Sequence, residues 1–195
     1  MKKVKIITDS CSDLSGELLE KYGIDYARMN TVYQGKEKVA SLTWEEYSPK
    51  KLYDIMRGGE RITTTQVPVQ EFIRIFRKYL DEGFDIIYIG CSSKQSGSVN
   101  TGTVAAKDLL GEYPDSRITC IDALNACIGE GMLAVFAAEL AESGKSYDEI
   151  VDAVMSARNR VNQYVTVHSL DALKRAGRVK ASSAFFGNLR SPSYE

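Results

Sequence analysis

The chain is poor in the residues from which most metal and acid–base sites are built: its 195 residues include a single histidine, His168. The four cysteines, Cys11, Cys91, Cys120 and Cys127, show no CxxC spacing, so neither a zinc knuckle nor a dithiol redox motif is spelled out. They read as reduced structural thiols, and no metal ion or cofactor is expected. No run of about 18 apolar residues occurs, which leaves no candidate transmembrane helix. The opening MKKVKIITDS is too polar for the apolar region of a signal peptide, so a cytoplasmic location is expected. The net charge is −1, and a bulk field that would draw in nucleic acid or anionic membrane is missing. A phosphate loop of the form GxxxxGK(S/T) is absent, since Glu139 stands where Gly144, Lys145 and Ser146 would need an upstream glycine. No GxSxG elbow surrounds Ser96.

What is present fits a globular protein of one to two domains, with 44% hydrophobic residues. Charge is uneven: residues 158–195 carry seven basic and two acidic residues, leaving the rest of the chain acidic. Residues 4–8 read as a buried strand, followed by a polar loop in which Ser12 or Asp13 could cap a helix over 15–22 that Gly23 ends. Residues 26–39 suggest strand–turn–strand around Gly35, and a helix over 49–57 ends at Gly58 and Gly59. Phe72, Ile75, Phe76, Tyr79 and Leu80 fall on one face of a helix over 69–80. The continuous apolar run 84–90 predicts a strand covered on both faces. A helix over 98–110, a strand over 117–122, helices over 129–143 and 147–161 and a strand over 164–167 complete the pattern. Strands alternating with such helices predict an α/β fold with a mostly parallel sheet. We place a domain boundary where the basic surplus begins, with an α/β domain over 1–161 and the start of a smaller α+β lobe over 162–195.

In parallel sheets, ligands bind beyond the carboxyl ends of the strands. That rule selects the loops at 9–13, 91–100 and 122–131. Small hydroxyl residues crowd the first two, and a third group, Thr63, Thr64, Thr65 and Gln66, also reads as a loop just before a helix. Hydroxyls and unpaired N–H groups at a helix start favour an anion. Residues 95–106 contain no charge, so an anion there would be held by hydrogen bonds. Gly129, Glu130 and Gly131 lie too far beyond the strand for a dinucleotide fingerprint and read as a closely packed helix start. His168 reads as structural. The run 174–180 gathers Lys174, Arg175, Arg178 and Lys180, either as a solvated face or as a contact for phosphate or an acidic partner.

Five segments in order, ITDSCSDL, TTTQVPVQEF, SSKQSGSVNTG, IDALNACIGEG and LKRAGRV, resemble the DegV family of bacterial fatty-acid-binding proteins from residue 5 to about residue 189. The resemblance implies a two-lobed α/β fold with an acyl chain buried in an apolar tunnel between the lobes. It implies a ligand carboxylate held by hydroxyls of two loops and presented to the catalytic subunit of a fatty acid kinase, the chain itself not being an enzyme. Thr64 and Gln66 match the first of these loops, with Thr65 at its usual serine. Ser92, Ser93, Ser96 and Gly97 match the second, with Ser98 at its threonine. Gln95, Val99 and Pro68 depart from the pattern and would alter the pocket lining. On this basis Thr64, Thr65, Ser93, Ser96, Gly97 and Ser98 are the expected ligand contacts, and Arg175 and Arg178 the expected contacts to partner or phosphate. The family's chains run further, and the sequence at 190–195 does not resemble their continuation, so a truncated second lobe and self-association through exposed apolar surface are expected. The competing readings are a hydrolase or transferase using a loop serine, with His168 as its base, and a truncated member without independent activity.

Overall fold

A computed structural model describes residues 2–166, 170, 173–174 and 177–179. In chain order the elements are β1 (Val4–Asp9), α1 (Gly16–Lys21), β2 (Asp25–Ala27), β3 (Asn30–Tyr33), β4 (Lys36–Val39), α2 (Pro49–Arg57) and β5 (Ile62–Thr65). Then follow α3 (Val69–Asp81), β6 (Asp85–Gly90), α4 (Ser98–Glu112), β7 (Ile118–Asp122), α5 (Cys127–Glu142) and α6 (Tyr147–Ala157). Contacts divide the chain into one unit over Met1–Asn162 and another over Gln163–Glu195.

The first unit is built on a parallel sheet in the order β2-β1-β6-β7. Every residue of β6 is buried, as the apolar run 86–89 requires, and the buried Asp85 at its start is paired with Arg117. Alternation sends Ile86 and Tyr88 to one face, where they pack with Phe72, Ile75 and Phe76 of α3 and Leu109 of α4. Ile87 and Ile89 go to the other face and meet Leu133 of α5 and Ile150 of α6. Helices therefore cover both faces, and the strand ends carry the loops of interest. Ile128 and Met132, one turn apart on α5, are exposed together with Leu124.

Three expectations are corrected, and a fourth is met with a shifted start. The cap of α1 is Ser15, whose hydroxyl accepts from the Leu18 N–H, and not Ser12 or Asp13; Ser12 is fully buried. The strand–turn–strand expected around Gly35 is present as β3 and β4, joined at Gln34 and Gly35, both at positive φ, while 25–27, at its start, pair instead with β1. Thr63, Thr64 and Thr65 are not loop residues: they lie in β5, antiparallel to β3, in the sheet ordered β4-β3-β5. Residues 164–166 form no strand, and Val167 lies outside the described residues. In the second unit the described residues close a helical turn, with the Gly177 N–H donating to Lys174 O and the Arg178 N–H to Leu173 O, Gly177 having φ 72°. No helix among the described residues is long and apolar enough to cross a membrane.

Asp25 joins β2 to α3. Its Oδ2 accepts from the Tyr79 hydroxyl at 2.7 Å and from Lys78 Nζ at 3.1 Å. Burial pushes this carboxyl up, but Tyr79, the Tyr26 N–H and Lys78 together hold it below its usual 3.8. A lowered folded-state pKa stabilises the fold above that usual value and is lost as pH falls through the folded one. Asp25→Asn should therefore cost about 1 kcal/mol at pH 7, the partial exposure of the group limiting the effect. The gap between variant and parent should shrink towards pH 3 in urea unfolding curves, and a constant gap would exclude this linkage.

Candidate functional site

The loops after β1, β6 and β7 are laced together by two aspartates at strand ends. Asp9, fully buried, accepts the Cys11 N–H at 2.9 Å through Oδ1, and the Tyr88 hydroxyl at 2.8 Å and Cys91 N–H at 3.1 Å through Oδ2. Burial lifts its carboxyl to about 6 despite these donors. Asp122 accepts the Leu124 N–H at 2.8 Å and the Ser93 N–H at 3.3 Å, while the Ser92 N–H donates to Asn125 O at 2.8 Å. The three loops chosen by the strand-end rule thus form one edge. Gly131 lets α5 reach it, because a Cβ there would lie 2.4 Å from Ser12 O.

The threonine segment reaches that edge from the second sheet. The Val67 N–H donates to Ser98 Oγ at 3.1 Å, and Gln66 Nε2 donates to Thr101 Oγ1 at 2.8 Å, so the end of β5 is fastened to the first turn of α4. Gly97 is the N-cap, and a Cβ on it would lie 2.0 Å from Gln66 Oε1. Ser96 Oγ and Ser98 Oγ are 2.9 Å apart. Ser98 is completely buried and already serves Val67 and Ser96, which makes it a strut between the two segments. Ser93 is exposed and Ser96 half-buried. Thr64 and Thr65 are adjacent in a strand, so their side chains point to opposite faces of the small sheet. Thr64 shares its face with Thr31, its partner across the strands, and Thr65 shares the other with Asn30. Neither Pro68, the N-cap of α3, nor Gly97, the N-cap of α4, offers a capping side chain; Ser96 Oγ accepts the Ser98 N–H at 3.3 Å, and the N–H groups that follow it in the first turn of α4 keep donor capacity.

Beside Thr31 opens a cleft of about 530 Å³, walled by Leu14, Thr31, Ala40, Leu42, Trp44 and Leu52. Its size suits a small-molecule ligand. The helix α2 that contributes Leu52 buries none of its residues. Arg178 is exposed in the second unit, while Arg175 and His168 lie outside the described residues. Among the described residues, no carboxylate hydrogen-bonds the Ser93 or Ser96 hydroxyl, and His168, the base expected for a serine nucleophile, lies outside them. Sequence reasoning passed over Glu130, completely buried, whose Oε1 accepts the Thr8 hydroxyl at 2.8 Å. The available signal was its being the sole charge between residues 123 and 138.

The family model described as an uncharacterised protein of the DegV family matches residues 3–191. A DegV domain-containing protein of Clostridium perfringens is 37% identical over 191 residues, which are 98% of this chain and 65% of that protein. A fatty-acid-binding DegV family protein from Thermus thermophilus matches with a TM-score of 0.83 at 30% identity, over 97% of this chain and 65% of that one. A stearic-acid-binding protein from Eubacterium ventriosum matches with a TM-score of 0.79 at 25% identity, over 93% of this chain and 63% of its own. The chain therefore spans 65% of the length of the Clostridium perfringens relative.

Proposed function

The chain belongs to the DegV family, and from that premise we propose that it binds a long-chain fatty acid and presents its carboxylate to the catalytic subunit of a fatty acid kinase. Thr64 and Ser96 hold the carboxylate, with Ser93 at its rim and the first-turn N–H groups of α4 behind it. The observation that carries this reading is the fastening of β5 to an α4 start whose N-cap, Gly97, has no side chain, in a stretch without charge. Donors fixed in this way favour a monoanion without a counter-cation, since helix-end dipoles and hydroxyls share the charge. The acyl chain runs along the apolar cleft past Thr31, whose face Thr64 shares. Arg175 and Arg178 meet the kinase subunit or steady the acyl phosphate it makes. The chain itself supplies no phosphoryl-transfer machinery in this scheme. Domains over 1–161 and 162–195 remain the proposed division of labour, the first for the carboxylate and the second for the partner.

Each hydrogen bond to a charged group is worth about 1.5–3 kcal/mol. Thr64→Ala and Ser96→Ala should each weaken palmitate binding by tens-fold in calorimetric titration of the delipidated chain, with melting temperature little changed. Thr65→Ala, its hydroxyl on the other face, should do less. Unchanged affinity in both Thr64→Ala and Ser96→Ala would sink the assignment.

A further inference from the structure

Three of the four cysteines meet at the strand-end edge, beside the fatty-acid contacts but distinct from them. Cys11 follows β1, Cys91 follows β6, and Cys127 opens α5. The sulfurs of Cys11 and Cys91 and a carboxylate oxygen of Glu130 all lie within 4.8 Å of one another. Cys91 and Glu130 are buried and Cys11 is half-buried, which leaves a path from solvent. Glu130 Oε2 is buried with no hydrogen-bond partner, although its other oxygen is taken by Thr8. Such an orphan is destabilising unless something else satisfies it.

The surroundings are one-sided in charge. Asp9 sits against both thiol-bearing loops, accepting the Cys11 and Cys91 N–H groups. Among the described residues, no lysine or arginine forms an ion pair with Asp9, Asp13 or Glu130. Acidic groups thus converge on a space that contains no cation from the described chain.

We propose that Cys11, Cys91 and Glu130 bind a divalent ion of the zinc class. Two sulfurs and one carboxylate oxygen are the donor set of a borderline-soft ion with tetrahedral preference. With metal–sulfur bonds of about 2.3 Å, the two sulfurs would stand about 3.8 Å apart, so closing the site needs a movement of about 1 Å at most. Whatever protons the two thiols and Glu130 carry leave to solvent on binding, no group changes oxidation state, and the ion answers the orphaned oxygen. Cys127 or water completes the coordination. The ion would pin the loops after β1 and β6 and the start of α5 to one point.

The test uses the reduced full chain and cobalt(II) as an optical probe, with zinc added to displace it. One equivalent of cobalt should produce a thiolate-to-metal charge-transfer band that one equivalent of zinc abolishes. Cys11→Ser, Cys91→Ser and Glu130→Gln should each weaken binding at least about tenfold, since even outer-sphere changes cost that much. Cys120→Ser should leave binding intact, because this thiol, on β7, faces Thr103 of α4. Should a cysteine variant fail to fold, iodoacetamide labelling of the native chain decides: zinc should slow alkylation of Cys11. No band from the reduced chain, an undiminished band in Cys11→Ser, unaltered Cys11 labelling, or an air-formed Cys11–Cys91 disulfide in a chain that takes up no metal would each overturn the proposal.

Discussion

Gly90→Ala is expected to destabilise the chain by about 3 kcal/mol or more and to lower the melting temperature by about 6–12 °C. A Cβ at position 90 would lie 2.2 Å from the Tyr88 hydroxyl oxygen and 2.4 Å from its Cζ. The ring cannot simply retreat. It is completely buried, with Phe72 at 4.9 Å and Phe76 at 6.2 Å between ring centroids, and its hydroxyl is committed to Asp9 at 2.8 Å. Accommodating a single methyl group therefore means moving an aromatic ring in a close-packed core or breaking a hydrogen bond to a buried carboxylate. The effect should also reach function. Asp9 ties the loop after β1 to the loop after β6, so fatty-acid affinity should fall along with the melting temperature. A melting temperature within 2 °C of the parent would show that the ring has freedom that its packing denies.

Phe72→Ala is expected to be worse, costing about 3–5 kcal/mol as a large-to-small change in a fully enclosed position. Phe72 anchors α3 to the sheet through Tyr88 and to its own helix through Phe76 at 5.4 Å. A Cβ at Gly102 would lie 3.2 Å from its ring edge, so α4 also closes on it. Urea unfolding gives the single-variant cost, but the double variant with Gly90→Ala is more informative. Truncating Phe72 vacates the space into which Tyr88 could tilt, so the added methyl at position 90 should then be tolerated better. The two costs should fall short of additivity by about 1 kcal/mol or more, as expected for residues that share a cavity. Strict additivity would mean that Tyr88 does not use the vacated space.

The parts of this architecture that were legible are those governed by local patterns. The apolar run 86–89 of β6 announces a strand buried on both sides, and the spacing of Phe72, Ile75, Phe76, Tyr79 and Leu80 fixes the buried face of α3. Gly129 and Gly131 flank a helix start that does pack closely, as read. What escaped depends on partners distant in sequence. Thr63, Thr64 and Thr65 stand before a helix and carry hydroxyls, which suggests a loop; only pairing with β3 makes them a strand. Tyr164 and Val165 have strand-favouring side chains but no pairing among the described residues, and propensity without a neighbouring strand does not suffice. Three candidate caps fall between Ser12 and Ser15, and the choice of Ser15 follows from the burial of Ser12 under α5. The cysteines carry no spacing signal because each is delivered by a different strand-end loop or helix start, which a linear motif cannot encode.

The parallel sheet also sets a schedule for the chain during its synthesis. The first strand pairs through Val4 with Asp85, and the Asp9 carboxylate collects donors from residues 79 and 82 positions away. At a synthesis rate of about 5–20 residues per second, β1 waits roughly 4–16 s before β6 exists to receive it. During that interval β1 has only the three residues of β2 to pair with, while β3 can pair with β4 across Gln34 and Gly35 and then with β5. The apolar residues Ile6 and Ile7 meanwhile stand on a strand whose β6-facing edge is open, a form readily captured by another chain. The edge that gathers Asp9, Cys11, Cys91 and Ser96 is thus assembled late in the life of the nascent polypeptide, and its correct assembly reports that the sheet beneath it has closed.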